Sequence, residues 1–141
     1  MQKKHCIKRS PAKLSKKGRK MINNIWNIIS FYCNCHNTPI RMIDTKGPTS
    51  TFFSCPKYKL KDEEHPDGHE KGERSCANRL NYGDALELVT KLSNDIQESL
   101  FSGEYCDFTN HQLHHKQIDA KIITYNDDQI EIGIVNKKAL K

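Results

Sequence analysis

Cys33-x-Cys35, then Cys55, then Cys76 are the residues with the clearest chemistry in this chain. A thiolate is a soft ligand that suits Zn²⁺ better than a hard cation, and zinc takes four tetrahedral ligands carried on loops that converge. Cys33 and Cys35 precede a short stretch with hairpin character and Cys55 follows it, so three sulfurs are brought together; Cys76 supplies a fourth after a polar interval. A closed four-cysteine site leaves no position for water and is structural, not catalytic. The expectation is one Zn²⁺ held by Cys33, Cys35, Cys55 and Cys76. Cys33-x-x-His36 is an ordinary ligand spacing too, so His36 is the alternative to Cys35. His65 and His69 read as loop histidines, and Cys6 and Cys106 as unpaired thiols.

The stretch CNCHNTPIRMIDTKGPTSTFFSCP, with Cys76 beyond it, resembles the GRF-type zinc finger, a small β zinc ribbon appended to topoisomerases and DNA-repair enzymes. The features that carry the resemblance are Cys33 and Cys35, the short run 40–43, Gly47-Pro48, Phe52-Phe53, Cys55-Pro56 and the final Cys76. It covers about residues 31–80. Thr49-Ser50-Thr51 stands where the family carries its Gly-Arg pair, and Ala77-Asn78-Arg79-Leu80 stands where it carries aromatics. The resemblance implies a zinc site and binding to single-stranded DNA or RNA.

The residues around the cysteines point to the same partner on their own chemistry. Trp26, Phe31, Tyr32, Phe52 and Phe53 lie near them in sequence, interleaved with Arg41, Lys46, Lys57, Lys59 and Lys61. Aromatic faces stack unpaired bases, and cations follow the phosphates. The net charge of +6 is uneven: residues 1–43 carry ten Lys or Arg and no acid, which leaves the remainder at −4. Lys16, Lys17, Arg19 and Lys20 close a basic stretch at 1–20 that reads as a flexible arm for an anionic polymer. The expected contacts are Arg41, Lys46, Phe52, Lys57, Lys59 and those four arm residues. The competing reading is a protein–protein adaptor in which zinc is purely structural and the C-terminal half binds a partner or a second copy.

Other chemistries find little footing. No phosphate-cradling glycine loop, Ser-His-Asp order or HExxH motif is present, and the run NHQLHHK at 110–116 reads as a solvated turn, so no enzyme activity is expected. Uninterrupted apolar runs extend only a few residues, and Asn23, Asn24 and Asn27 break the stretch after the basic start, so neither a membrane span nor a signal peptide is expected. The chain reads as cytoplasmic, where thiols stay reduced and serve metals more than disulfides.

These groups need a scaffold, and the composition limits its size. Of 141 residues, 35% are hydrophobic and 28% charged, which excludes one large core and favours a small one helped by a metal. Residues 83–101 predict an amphipathic helix, with Ala85, Leu88, Val89, Leu92, Ile96 and Leu100 on one face and Asp84 as its cap. Residues 117–135 predict a hairpin, with Ile118, Ala120 and Ile122 alternating, a turn at Asn126-Asp127-Asp128, and Ile130, Ile132 and Ile134 returning. A strand is expected to lead into Cys33, a ribbon hairpin to join 40–43 to 51–54, and the polar insert 57–75 to be disordered. The fold class is α+β: an arm at 1–20, a zinc-ribbon module at 21–80, and a helix plus hairpin at 81–141.

Overall fold

A computed structural model describes residues 5–8, 25–46, 51–102, 104–126 and 128–140. The strands are β1 (His5–Lys8), β2 (Ile29–Cys33), β3 (Ile40–Arg41), β4 (Ile43–Lys46), β5 (Thr51–Ser54), β6 (Arg79–Asn81), β7 (Glu104–Asp107), β8 (Gln112–His115), β9 (Ile118–Tyr125) and β10 (Ile130–Asn136). The helices are a single turn, α1 (Ile25–Ile28), and the long α2 (Tyr82–Phe101). The fold is α+β, as the two hydrophobic periods of the sequence require.

Five strands form the main sheet in the order β3-β2-β10-β9-β8. The expected hairpin is its centre: β9 and β10 pair antiparallel, with Ile134 opposite Ala120 and Ile132 opposite Ile122. Asn126 makes the turn by accepting from the backbone N–H groups of Asp128 (2.9 Å) and Gln129 (2.8 Å). The other edge of β10 pairs with β2, in parallel, setting Ile132 beside Phe31 and Ile134 beside Cys33. The sheet therefore joins the cysteine-bearing segment to the C-terminal hairpin. Instead of lying in a solvated turn, the histidine-rich run contributes β8, whose alternate residue Leu113 is buried.

The helix α2 buries the stripe read from its periodicity: Ala85, Leu88, Val89, Leu92 and Ile96 join Phe31, Ile122, Ile130, Ile132 and Ile134 in one core. Its cap is Asn81, one turn earlier than expected, whose side chain accepts from the Asp84 N–H at 2.8 Å. The Asp84 carboxylate faces β8 instead, where it takes a hydrogen bond from His115 Nε2 at 2.9 Å. Asp95 with His111 (3.1 Å) and Lys91 with the His114 carbonyl (2.8 Å) pin β8 to the helix further along.

The expected single strand at 40–43 is divided. β3 pairs with β2, whereas β4 pairs with β5 in a separate three-stranded sheet, β4-β5-β6. Met42 turns inward between them and is buried, its N–H still bonded to the Phe31 carbonyl at 2.8 Å. Phe53 of β5 packs against Phe31 with ring centroids 4.8 Å apart, tying the small sheet to the main core. The turn expected at Lys46-Gly47-Pro48 runs into residues outside those described.

The insert 57–75 is an ordered loop, contrary to the reading from its polarity. His69 N donates to the Lys59 carbonyl (2.8 Å) and Lys61 N to the His69 carbonyl (2.9 Å), so the two arms of the loop bridge each other. Gly68 permits this approach: a Cβ there would lie 2.5 Å from the Lys59 carbonyl oxygen and 2.6 Å from Lys61 N. Within the basic segment 1–20, residues 5–8 form β1, paired antiparallel with β7; Lys16, Lys17, Arg19 and Lys20 lie outside the described residues. Among the described residues no helix is long and apolar enough to cross a membrane.

Candidate metal centre

Three elements deliver the ligands. Cys33 ends β2 and is fully buried, because the alternation that buries Phe31 also turns Cys33 to the core side. The turn after it carries His36. Gly133 beneath that turn lets it sit close on the sheet, since a Cβ there would meet Asn34 and Ile123 at 3.1 Å. Cys55 follows β5 and caps a single 3-10 turn, Pro56–Tyr58, in which its sulfur accepts from the Lys57 N–H at 3.4 Å. Cys76 runs alongside that turn: Cys76 N donates to the Lys57 carbonyl (3.1 Å), and Cys55 N to the Asn78 carbonyl (3.1 Å).

The result is a compact set of one imidazole and three sulfurs. One ligand atom from each of Cys33, His36, Cys55 and Cys76 lies within 4.8 Å of all the others. The Cys33 and Cys76 sulfurs are 3.6 Å apart, and His36 Nε2 is 3.4 Å from the Cys55 sulfur. This Cys₃His group could hold a metal ion. The position expected for Cys35 is taken by His36. Cys35, two residues after Cys33 in the same turn, is exposed and outside that group, but its thiol still reaches the Cys33 and Cys76 sulfurs, and burial together with those two neighbours pushes it up to about 12. His65 and His69 stay in the loop; His65 is engaged by Asp62 at 3.0 Å.

Crowded sulfurs share their protons unequally. The Cys33 thiol is held well below the usual thiol range, chiefly by hydrogen bonds from Cys55 and then Cys76, with Asn78 adding another. The same bonds push the Cys55 and Cys76 thiols up, since each donates its proton toward Cys33. A site that favours a thiolate before any cation arrives is arranged for one, because the thiolate is the ligand.

Asn78 completes the centre and is invisible to ligand-spacing arguments. It is fully buried. Its Nδ2 donates to the Cys33 sulfur (3.1 Å) and to the Ile134 carbonyl (2.7 Å), while its Oδ1 accepts from Asn136 N (2.9 Å). It thus fixes a sulfur and fastens β10 to the segment leaving Cys76. The only hint in the sequence is a polar residue two places after Cys76, just before an apolar strand position at Leu80. Asn78→Ala should lower stability by about 2–3 kcal/mol through its buried, unpaired partners. It should also weaken metal affinity roughly 10- to 100-fold, as loss of a second-layer hydrogen bond does. Denaturant melts and competition with a chromogenic chelator measure the two effects separately.

No protein family, curated protein or solved structure matches the chain. The site is therefore argued from its own geometry.

The residues expected at a nucleic-acid surface are scattered around this centre. Arg41 is exposed on β3, and Lys46 ends β4. Lys57 is drawn into the insert, where its Nζ donates to the Gly68 carbonyl at 3.2 Å and lies 3.9 Å from Glu73. Lys59 stands over the Tyr58 ring, 5.2 Å from its centroid. Phe52 is half-buried and, with Tyr58, Asn78 and Arg79, lines a cavity of about 250 Å³ beside the metal centre. Tyr58 and Arg79 were not among the expected contacts. Tyr58 is 52% exposed. Trp26 and Tyr82 are exposed aromatics as well, stacked on each other with ring centroids 5.8 Å apart.

Proposed function

We propose that this chain is a zinc-binding, non-enzymatic protein that holds single-stranded DNA or RNA beside a structural Cys33-His36-Cys55-Cys76 site. Zinc is supported by donor chemistry and spacing. Tetrahedral Zn–S bonds of about 2.3 Å put sulfurs about 3.8 Å apart, and a Zn–N bond of about 2.0 Å puts nitrogen about 3.5 Å from sulfur. The observed 3.6 Å and 3.4 Å fall close to both. Four protein ligands leave no open position for substrate or water, which favours a structural role over a catalytic one.

The observation that carries the nucleic-acid reading is the cavity between Phe52, Tyr58 and Arg79. It offers an exposed ring for base stacking on Tyr58, with the Lys59 ammonium beside it on the turn after Cys55, and a guanidinium for stacking or phosphate on Arg79 at the start of β6, three residues after Cys76. Base–aromatic stacking is worth about 1–3 kcal/mol per base. Tyr58→Ala should therefore weaken binding of a fluorescent oligothymidylate or oligouridylate by roughly 5- to 150-fold, with zinc content unchanged. Arg79→Gln should reduce the salt dependence of binding by about one phosphate contact. Undiminished affinity in the Tyr58 variant rejects the cavity as the base site. No binding by the parent chain, together with a concentration-dependent size change, rejects the reading in favour of an adaptor.

A further inference from the structure

The zinc centre accounts for three of the six cysteines, and Cys35 lies exposed beside it. The remaining two, Cys6 and Cys106, are one hundred positions apart in sequence, yet they are register partners in the β1–β7 pair: His5 faces Asp107, Cys6 faces Cys106, Ile7 faces Tyr105 and Lys8 faces Glu104. Directly opposed residues of an antiparallel pair have Cα atoms about 4.5–5.5 Å apart. That interval lies inside the range of about 4.4–6.8 Å that a disulfide needs. A two-stranded ribbon is marginal on its own, so β1 has much to gain from a covalent tie to β7.

We propose that Cys6 and Cys106 form a reversible cross-strand disulfide that fastens the basic N-terminal segment to the body of the protein. The oxidant is a low-molecular-weight disulfide such as oxidised glutathione. One protein thiolate attacks it, forming a mixed disulfide and releasing one glutathione thiol. The second protein thiolate then displaces the other glutathione, forming the Cys6–Cys106 bond. The two protein thiols lose two electrons and two protons in total, and the glutathione disulfide is reduced to two thiols. In a reducing compartment the pair is open and the β1–β7 pairing stands without the covalent tie. Under oxidation it closes and ties Cys6, ten positions before Lys16 in the sequence, covalently to β7. This inference is independent of what the basic residues bind.

The test uses the full-length, zinc-loaded protein in glutathione redox buffers. The expected product is about 2 Da lighter than the reduced chain, gives one cross-linked peptide pair joining Cys6 to Cys106, keeps its zinc, and melts roughly 10 °C higher, because the bond closes a long loop. Reduction reverses all three changes. Cys6→Ser and Cys106→Ser each abolish the cross-link and leave a glutathione adduct on the remaining partner. The pair should form at least tenfold more readily in the folded chain than in urea. Separate glutathione adducts on Cys6 and Cys106 without a cross-link overturn the proposal. So does a cross-link through Cys35 instead, or equal formation in the folded and the denatured chain.

Discussion

Cys55→Ala should lose stoichiometric zinc and, with it, the cooperative fold, whereas Cys35→Ala should keep both. The contrast follows from where the two sulfurs lie. Cys55 is fully buried, caps the turn that leads into the insert, and stands 3.4 Å from His36 Nε2. Its removal leaves three ligands and a void between β2 and the Cys76 segment. Structural zinc contributes about 10–16 kcal/mol of apparent binding free energy in small domains at neutral pH. A domain of this size is stable by only about 5–15 kcal/mol in all. Losing most of the metal term therefore exceeds what the core of Leu, Ile and Phe can offset. Cys35 is exposed and outside the ligand group, so its truncation should change stability by no more than about 0.5 kcal/mol. Elemental analysis and thermal melts of the two variants provide the measurement. Acidification should act like Cys55→Ala, because protons compete for the three thiolates and the imidazole, so zinc affinity falls steadily as pH is lowered. Equal zinc retention in both variants would exclude Cys55 as a ligand; loss in the Cys35 variant with retention in His36→Ala would restore the all-cysteine set.

The elements with a strong hydrophobic period were legible in the sequence. The α2 stripe and the β9–β10 alternation each bury one face, and burial of a face is what periodicity encodes. Three of the four centre residues were legible as well, since sulfurs flanking a hairpin converge wherever the hairpin forms. The choice between Cys35 and His36 was not, because it depends on how the chain turns after Cys33, and Asn34 lying on Gly133 of a strand one hundred residues away sets that turn. The parallel pairing of β2 with β10 is long-range in the same sense: no local pattern at 29–33 announces which strand will lie alongside. The insert was misread for a different reason. Its composition is strongly polar, with Leu60 its only aliphatic side chain, yet its order comes from backbone bonds between Lys59, Lys61 and His69 made possible by one glycine, and composition does not register that. Asn78 was hidden because its three hydrogen bonds reach residues more than forty positions away.

Ile132→Asp should unfold the protein as completely as loss of the metal, and Leu92→Asp should do the same from the helix side. Ile132 is fully buried at the centre of the main sheet, opposite Ile122 on one strand and Phe31 on the other. Leu92 is fully buried on the inner face of α2. Each substitution forfeits about 1.5–3 kcal/mol of apolar burial and adds a carboxylate that must either remain charged without a partner or take up a proton at further cost. No buried cation is at hand to compensate, since the buried polar side chains among the described residues are Ser54, Asn78 and Ser99. A total of several kcal/mol is comparable with the whole stability of such a domain. Leu86, 45% exposed on the outer face of the same helix, is the control: Leu86→Asp should shift the melt by little, because it buries no charge. Because the same sheet positions Cys33 through β2, the Ile132 variant should also fail to hold zinc in a chelator competition, although all four ligands are intact. A cooperative melt at the parent temperature in both the Ile132 and Leu92 variants would reject the single shared core. Unfolding of the Leu92 variant with full zinc retention would instead show that the metal centre holds its own strands without the helix.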